Sequence, residues 1–142
     1  MLKHSLLITA LLISTNVLAN TIFIGDSIAD GYKKYNDGIG FTKVGASPKS
    51  VLSYIYSANY RDVSKVILSS GISNNCHGIS TVKDQLFYLS SKQVNVILLG
   101  NNNCNGVNDT LKLMCVKYSN CKFESIPYGL DGIHPNQYNK KF

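Results

Sequence analysis

The sequence predicts an α/β domain of three layers, α/β/α, built on a mainly parallel sheet of about five strands. Three observations carry that prediction. Short apolar, often β-branched runs alternate with longer amphipathic stretches, each run breaks at glycine, serine or proline, and no internal repeat or low-complexity linker interrupts residues 20–142. A chain of 142 residues has room for one domain.

The first strand is expected at Thr21–Ile24, breaking at Gly25, and the second at Phe41–Val44, ending at Gly45. Ser47 followed by Pro48 forms a cap and first-turn pair for a helix running to about Tyr60. Lys65–Leu68 reads as the third strand, closed by Ser69-Ser70-Gly71. Thr81–Ser90 sets Val82, Leu86 and Leu89 at helical spacing. Val94–Leu99 is the fourth strand, followed by Gly100 and polar residues. Val107–Val116 is a further helix, with Val107, Leu111, Met114 and Cys115 on one side, and Lys122–Ile126 a fifth strand stopped by Pro127.

The residues before this pattern have another character. Lys3 and His4 precede an apolar run, Leu6–Val17, and Val17-Leu18-Ala19 supplies a small residue at a cleavage position. This is the layout of a secretory signal over residues 1–19, and the run is too short to span a bilayer. Export agrees with the cysteines. Cys76, Cys104, Cys115 and Cys121 are even in number and lie within 20–142, so two disulfides are expected. Of three connectivities, a local Cys115–Cys121 staple with a longer Cys76–Cys104 bridge is favoured. Zinc-type Cys/His spacing is absent, His77 beside Cys76 reads as a surface residue, and no metal or cofactor is expected.

The formal charge is +6, and Lys3 would take one unit with the signal to leave +5. Such a balance suits solubility and acidic surfaces. The lysines are scattered, with only Lys33-Lys34 and Lys140-Lys141 adjacent, so a nucleic-acid partner is not expected.

In a parallel sheet the working residues lie just past the carboxyl ends of the strands. Gly25-Asp26-Ser27, Gly45-Ala46-Ser47 and Gly71-Ile72-Ser73-Asn74 each follow a predicted strand, which points three polar peptides at one rim. A hydrolytic serine at that rim needs a base, a group that orients the base, and donors for an oxyanion. Of three histidines, His4 leaves with the signal and His77 has no acid nearby in sequence. His134 follows Asp131 by three residues in Asp131-Gly132-Ile133-His134-Pro135-Asn136, a spacing that lets the carboxylate hold one imidazole tautomer in a turn or opening helix.

These peptides resemble the sequence blocks of the SGNH (GDSL-like) hydrolases. Gly25-Asp26-Ser27-Ile28-Ala29-Asp30-Gly31 is similar to the first block and Val44-Gly45-Ala46-Ser47 to the second. Ser70-Gly71-Ile72-Ser73-Asn74-Asn75 is similar to the third, and Asp131–Asn136 to the fifth, in family order from Thr21 to about Tyr138. The resemblance implies a flavodoxin-like sheet and carboxylic-ester hydrolysis through an acyl-enzyme. It makes Ser27 the nucleophile, His134 the base and Asp131 its orienting acid. It places the oxyanion against the Ser27 and Gly45 N–H groups and the Asn74 amide, with Asn75 the alternative donor because one extra residue follows Gly71. Asp26 would brace the turn. The chain is shorter than most of the family, and only Gln137–Phe142 stand where a closing helix is expected.

The expected substrate is an acylated carbohydrate or lipid. A short chain leaves a shallow site, which favours removal of O-acetyl groups from an envelope or extracellular polysaccharide by a secreted or periplasmic enzyme with no stable membrane anchor once the signal is cleaved. A lysophospholipase or short-chain lipase is the alternative, and an inactive glycan-binding relative is a third reading.

Overall fold

The computed structural model describes residues 20–71, 76–102 and 104–142. The expected signal segment, the Ile72–Asn75 peptide with both candidate oxyanion asparagines, and Asn103 lie outside the described residues. The elements in chain order are β1 (Asn20–Gly25), α1 (Ser27–Tyr35), β2 (Ile39–Thr42), α2 (Pro48–Ser57), β3 (Val63–Ser69), α3 (Thr81–Ser90), β4 (Asn95–Leu99), α4 (Val107–Cys115) and β5 (Cys121–Glu124). All strand pairs are parallel, and the sheet order is β2-β1-β3-β4-β5. This is the flavodoxin-like order, in which winding reverses between β1 and β3 and leaves a crevice at their carboxyl ends.

Side-chain alternation divides the core. Ile22, Ile24, Val66, Leu68, Val96 and Leu98 face Val51 and Ile55 of α2, Val82, Leu86 and Leu89 of α3, and Val107 and Leu111 of α4. Phe23, Ile67 and Leu99 face the other way, toward Ile28 and Tyr32 of α1 and toward Ile126. The sheet is therefore covered on both faces, as the alternating pattern predicts.

Several boundaries differ from expectation for physical reasons. The second strand lies two residues earlier than predicted, because β2 is an edge strand whose Ile39 and Phe41 remain exposed and so give no buried run to read. The helix expected to reach Tyr60 stops at Ser57. Ala58 is extended, and the Tyr60 hydroxyl turns back to donate to the Ile55 carbonyl at 2.7 Å. The last strand ends at Glu124, and Ile126 leaves the sheet to enter the core. Helix α1 was not anticipated. It is short, carries Lys33-Lys34 and a central glycine, and buries only Ile28, Ala29 and Tyr32.

No closing helix forms at Gln137–Phe142. An irregular tail crosses α1 instead. The Tyr138 ring meets Tyr32 edge-on with centroids 4.8 Å apart, and Phe142 meets Tyr32 at 5.3 Å and Phe23 at 6.2 Å. Asn36 fixes the tail from the end of α1, donating to the Lys140 carbonyl at 3.0 Å and accepting from the Phe142 N–H at 3.1 Å. Lys140 pairs with Glu124. Gly31 has no Cβ because the Tyr138 ring occupies the space one would fill.

Both favoured disulfides form. Cys76–Cys104 joins the segment after β3 to the approach to α4, and Cys115–Cys121 ties the end of α4 to β5. All four cysteines adjoin the core beneath α2, α3 and α4.

Candidate active site

The site starts at the end of β1. Gly25, at φ +146°, lies against the Ser69 carbonyl where a side chain would collide, so β1 and β3 approach closely just before the turn. Asp26 is fully buried and caps α1, its Oδ1 accepting from the Ile28 N–H at 3.2 Å and from the Ser69 hydroxyl at 2.7 Å. Asp26 thus braces the turn, and Ser27 is the first helical residue, with its hydroxyl directed to the rim.

The partner comes from the far end of the sequence. The Ser27 Oγ and His134 Nε2 are 2.7 Å apart across 107 residues. His134 Nδ1 lies 2.6 Å from Asp131 Oδ2, while Asp131 Oδ1 accepts the Ile133 and His134 N–H groups at 2.8 and 2.7 Å. The acid and base sit in a turn, not an opening helix. The Gly129 N–H donates to the His134 carbonyl at 2.6 Å and the Leu130 N–H to Asn136 Oδ1 at 3.0 Å, which fixes the turn from both sides. The hydrogen bond from His134, followed by those from the two backbone N–H groups, holds the Asp131 carboxyl down at about 2. Asp131 is therefore ionised at neutral pH and can only accept. In the neutral imidazole the proton then resides on Nδ1, which leaves Nε2 free to accept from Ser27. This arrangement can lower the barrier to attack by the serine oxygen and return the proton to a leaving group.

Gly45 lies on the β2–α2 connection at φ +79°, with open space where a side chain would stand. Because Thr42 pairs with Gly25 and the Lys43 N–H donates to the Gly25 carbonyl at 3.0 Å, this connection begins beside the Ser27 turn. Gly71, at φ +101°, ends the described part of the third block. His77 is exposed. Asp30 was not singled out from the sequence. It accepts from Thr42 at 2.7 Å and pairs with Lys34 at 2.7 Å, locking α1 to the edge strand, and the Lys34 bond is the main cause of its lowered carboxyl pKa.

Solved structures share this architecture. A GDSL-like lipase from Bacteroides thetaiotaomicron superposes with a TM-score of 0.62 at 14% identity, over 83% of this chain and 80% of its own. A protein assigned as an acylhydrolase from Bacteroides fragilis gives 0.61 at 16% identity, over 82% and 78%. The C-terminal catalytic domain of Streptococcus pneumoniae peptidoglycan O-acetyltransferase A, solved with a methylsulfonyl adduct, gives 0.56 at 12% identity, over 75% and 68%. The chain has the SGNH hydrolase fold. No protein-family model and no curated protein matches the sequence, so the likeness is one of structure. On the SGNH fold, the Ser27 turn, the Gly45 connection and the Ser70-Gly71 turn follow β1, β2 and β3 at the carboxyl edge, and the Asp131–His134 turn reaches the Ser27 turn after β5.

Proposed function

We propose that this chain is a serine ester hydrolase that removes short acyl groups, O-acetyl above all, from an envelope or extracellular polysaccharide. The observation that carries the reading is the continuous hydrogen-bonded line from Ser27 Oγ through His134 to Asp131. Ser27 Oγ gives its proton to His134 Nε2 and bonds to the ester carbonyl carbon. The Ser27 and Gly45 N–H groups and the Asn74 amide (or that of Asn75) receive the oxyanion. Collapse expels the alcohol, which takes the proton from Nε2. Water, deprotonated by the same nitrogen, then bonds to the acyl carbon, and the acid leaves as Nε2 returns that proton to Ser27 Oγ.

Openness at the site supports a small acyl group on a bulky carrier. The Asp131 side chain is 54% exposed, and Leu130 beside it is 98% exposed. Export, with residues 1–19 as the cleaved signal and 20–142 as the hydrolase domain, is supported by the two disulfides. No helix among the described residues is long and apolar enough to cross a membrane. Likeness to a peptidoglycan O-acetyltransferase domain also favours testing a sugar hydroxyl, in place of water, as acceptor of the acyl group.

Hydrolysis of p-nitrophenyl acetate tests the chemistry. Ser27→Ala and His134→Ala should each lower kcat on the order of 10⁴-fold or more while leaving the circular dichroism unchanged. Equal turnover by Ser27→Ala and the native protein would overturn the assignment. Acetate release from acetylated polysaccharide, set against cleavage of long-chain reporters, tests the substrate class, and preference for long chains would replace it with a lipase.

A further inference from the structure

Helix α3 buries four residues, and three of them, Val82, Leu86 and Leu89, are apolar. The fourth is Gln85, with no exposed surface. Its Nε2 donates to the Pro48 carbonyl at 2.8 Å and to the Ser70 hydroxyl oxygen at 2.9 Å. Pro48 O is a carbonyl and cannot donate, which fixes the orientation of the amide: both of its hydrogens are committed. Its Oε1 finds no donor among the described residues, so these two bonds set the group's place.

The two acceptors are informative because of what adjoins them. Pro48 opens α2, three residues beyond Gly45 on the β2–α2 connection. Ser70 is itself fully buried and immediately precedes Gly71, where β3 leads into the third block. One carboxamide therefore ties the base of the loop that, under the serine-esterase reading above, supplies the Gly45 N–H to the oxyanion against the exit of β3. The Ser27 N–H is on α1 and is not touched by Gln85.

We infer that Gln85 is a positioning residue for the oxyanion hole, holding the β2–α2 connection and the β3 exit at the separation the developing negative charge requires. It touches no reacting atom. Its effect belongs in the transition state, because oxyanion donors tighten when charge moves onto the oxygen, and small misplacement of such donors is costly.

The inference rests on the esterase reading, and one set of p-nitrophenyl acetate assays separates the two. Gln85→Glu keeps the shape and replaces the two N–H donors with a carboxyl that can donate at most once. Gln85→Met keeps the volume and removes all polarity. Each should lower kcat roughly 10- to 100-fold with KM within about twofold, the expected signature of displaced transition-state donors. Leu89→Ala, on the buried face of the same helix, is the control: it loosens α3 without touching either loop and should keep its kcat wherever circular dichroism shows it folded. Full kcat in a folded Gln85 variant, with Ser27→Ala inactive, overturns the positioning role and leaves the esterase reading intact. An equal kcat loss in Leu89→Ala also overturns it, since the effect would then belong to the helix at large. Turnover by Ser27→Ala equal to the native protein's removes both readings together. Should both Gln85 variants unfold, Ser70→Ala decides, because it deletes one acceptor with little change in packing. A severalfold fall in kcat at constant KM supports the clamp, and an unchanged kcat overturns it.

Discussion

The two faces of the sheet are closed by different means. Beneath α2, α3 and α4 lies a layer of aliphatic side chains, and both disulfides adjoin it. Among the described residues, the opposite face has α1 alone of the helices, completed by Ile126, Ile133 and the rings of Tyr138 and Phe142. The first face is held by helix packing and covalent staples. The second is held by aromatic edges and a few bonds to Asn36. Because Ile133 packs into the second face and His134 is its neighbour, the Ser27–His134–Asp131 line is mounted on the less reinforced side. Anything that lifts the tail should therefore act on activity as well as on stability, whereas the stapled face should lose stability first.

The largest expected effect tests the stapled face. Cys76–Cys104 spans 28 residues and Cys115–Cys121 spans 6. On the chain-entropy estimate, paired serine replacement should cost about 3.6 kcal/mol at the first bridge and about 2.2 kcal/mol at the second. Urea unfolding of the two double variants measures this, and equal losses would show that loop length does not govern the difference.

Next comes the tail. Tyr138→Ala should cost about 2–3 kcal/mol, below the usual 3–5 for a fully buried aromatic because Tyr138 is only half-buried. It should also lower kcat at temperatures where the protein remains folded. Normal kcat in folded Tyr138→Ala would detach the tail from the site and dissolve the contrast between the faces. Gly31→Ala should have a smaller effect of the same kind. In an exposed helix the change would stabilise by about 1 kcal/mol, but here the new methyl meets the Tyr138 ring, so a net loss of about 1 kcal/mol is expected. Adding Tyr138→Ala should turn Gly31→Ala from harmful to neutral or helpful in thermal unfolding.

The smallest effect is electrostatic. Asp131 is held at about 2 against an ordinary 3.8, so its ionised form is favoured by folding. That contribution is complete above about pH 4 and is lost as pH falls toward 2. Urea midpoints of the native protein and Asp131→Asn should therefore converge across that window and stay parallel above it.

Much of this architecture was legible in the sequence. Central strands such as β3 and β4 are buried on both faces and stand out as apolar runs, and Ser47-Pro48 marks the start of α2 through its own chemistry. The edge strand and α1 were harder, because Gly38, Gly40 and Gly31 interrupt their patterns for contacts that only the folded chain reveals. At the site, Asp131 and His134 could be paired from local spacing. Their union with Ser27 rested on the strand-end rule, the scarcity of other histidines and the resemblance, since no periodicity spans 107 residues. Gln85 gave no sign of itself, because a glutamine on a helix reads as a solvent-facing residue until its two acceptors are seen.

The Ser27–His134 bond also bears on the order of events in folding. A contact between residues 107 apart closes one of the longest loops in the chain, and such contacts are reached after local helices and neighbouring strands have formed. The Ser27 turn can take shape as soon as β1 and β3 pair, yet it has no His134 beside it until β5 is in place and the tail has settled on α1. On the proposed esterase reading, recovered turnover should accordingly lag behind recovered helical signal during refolding, so that activity serves as a clock for the final docking step.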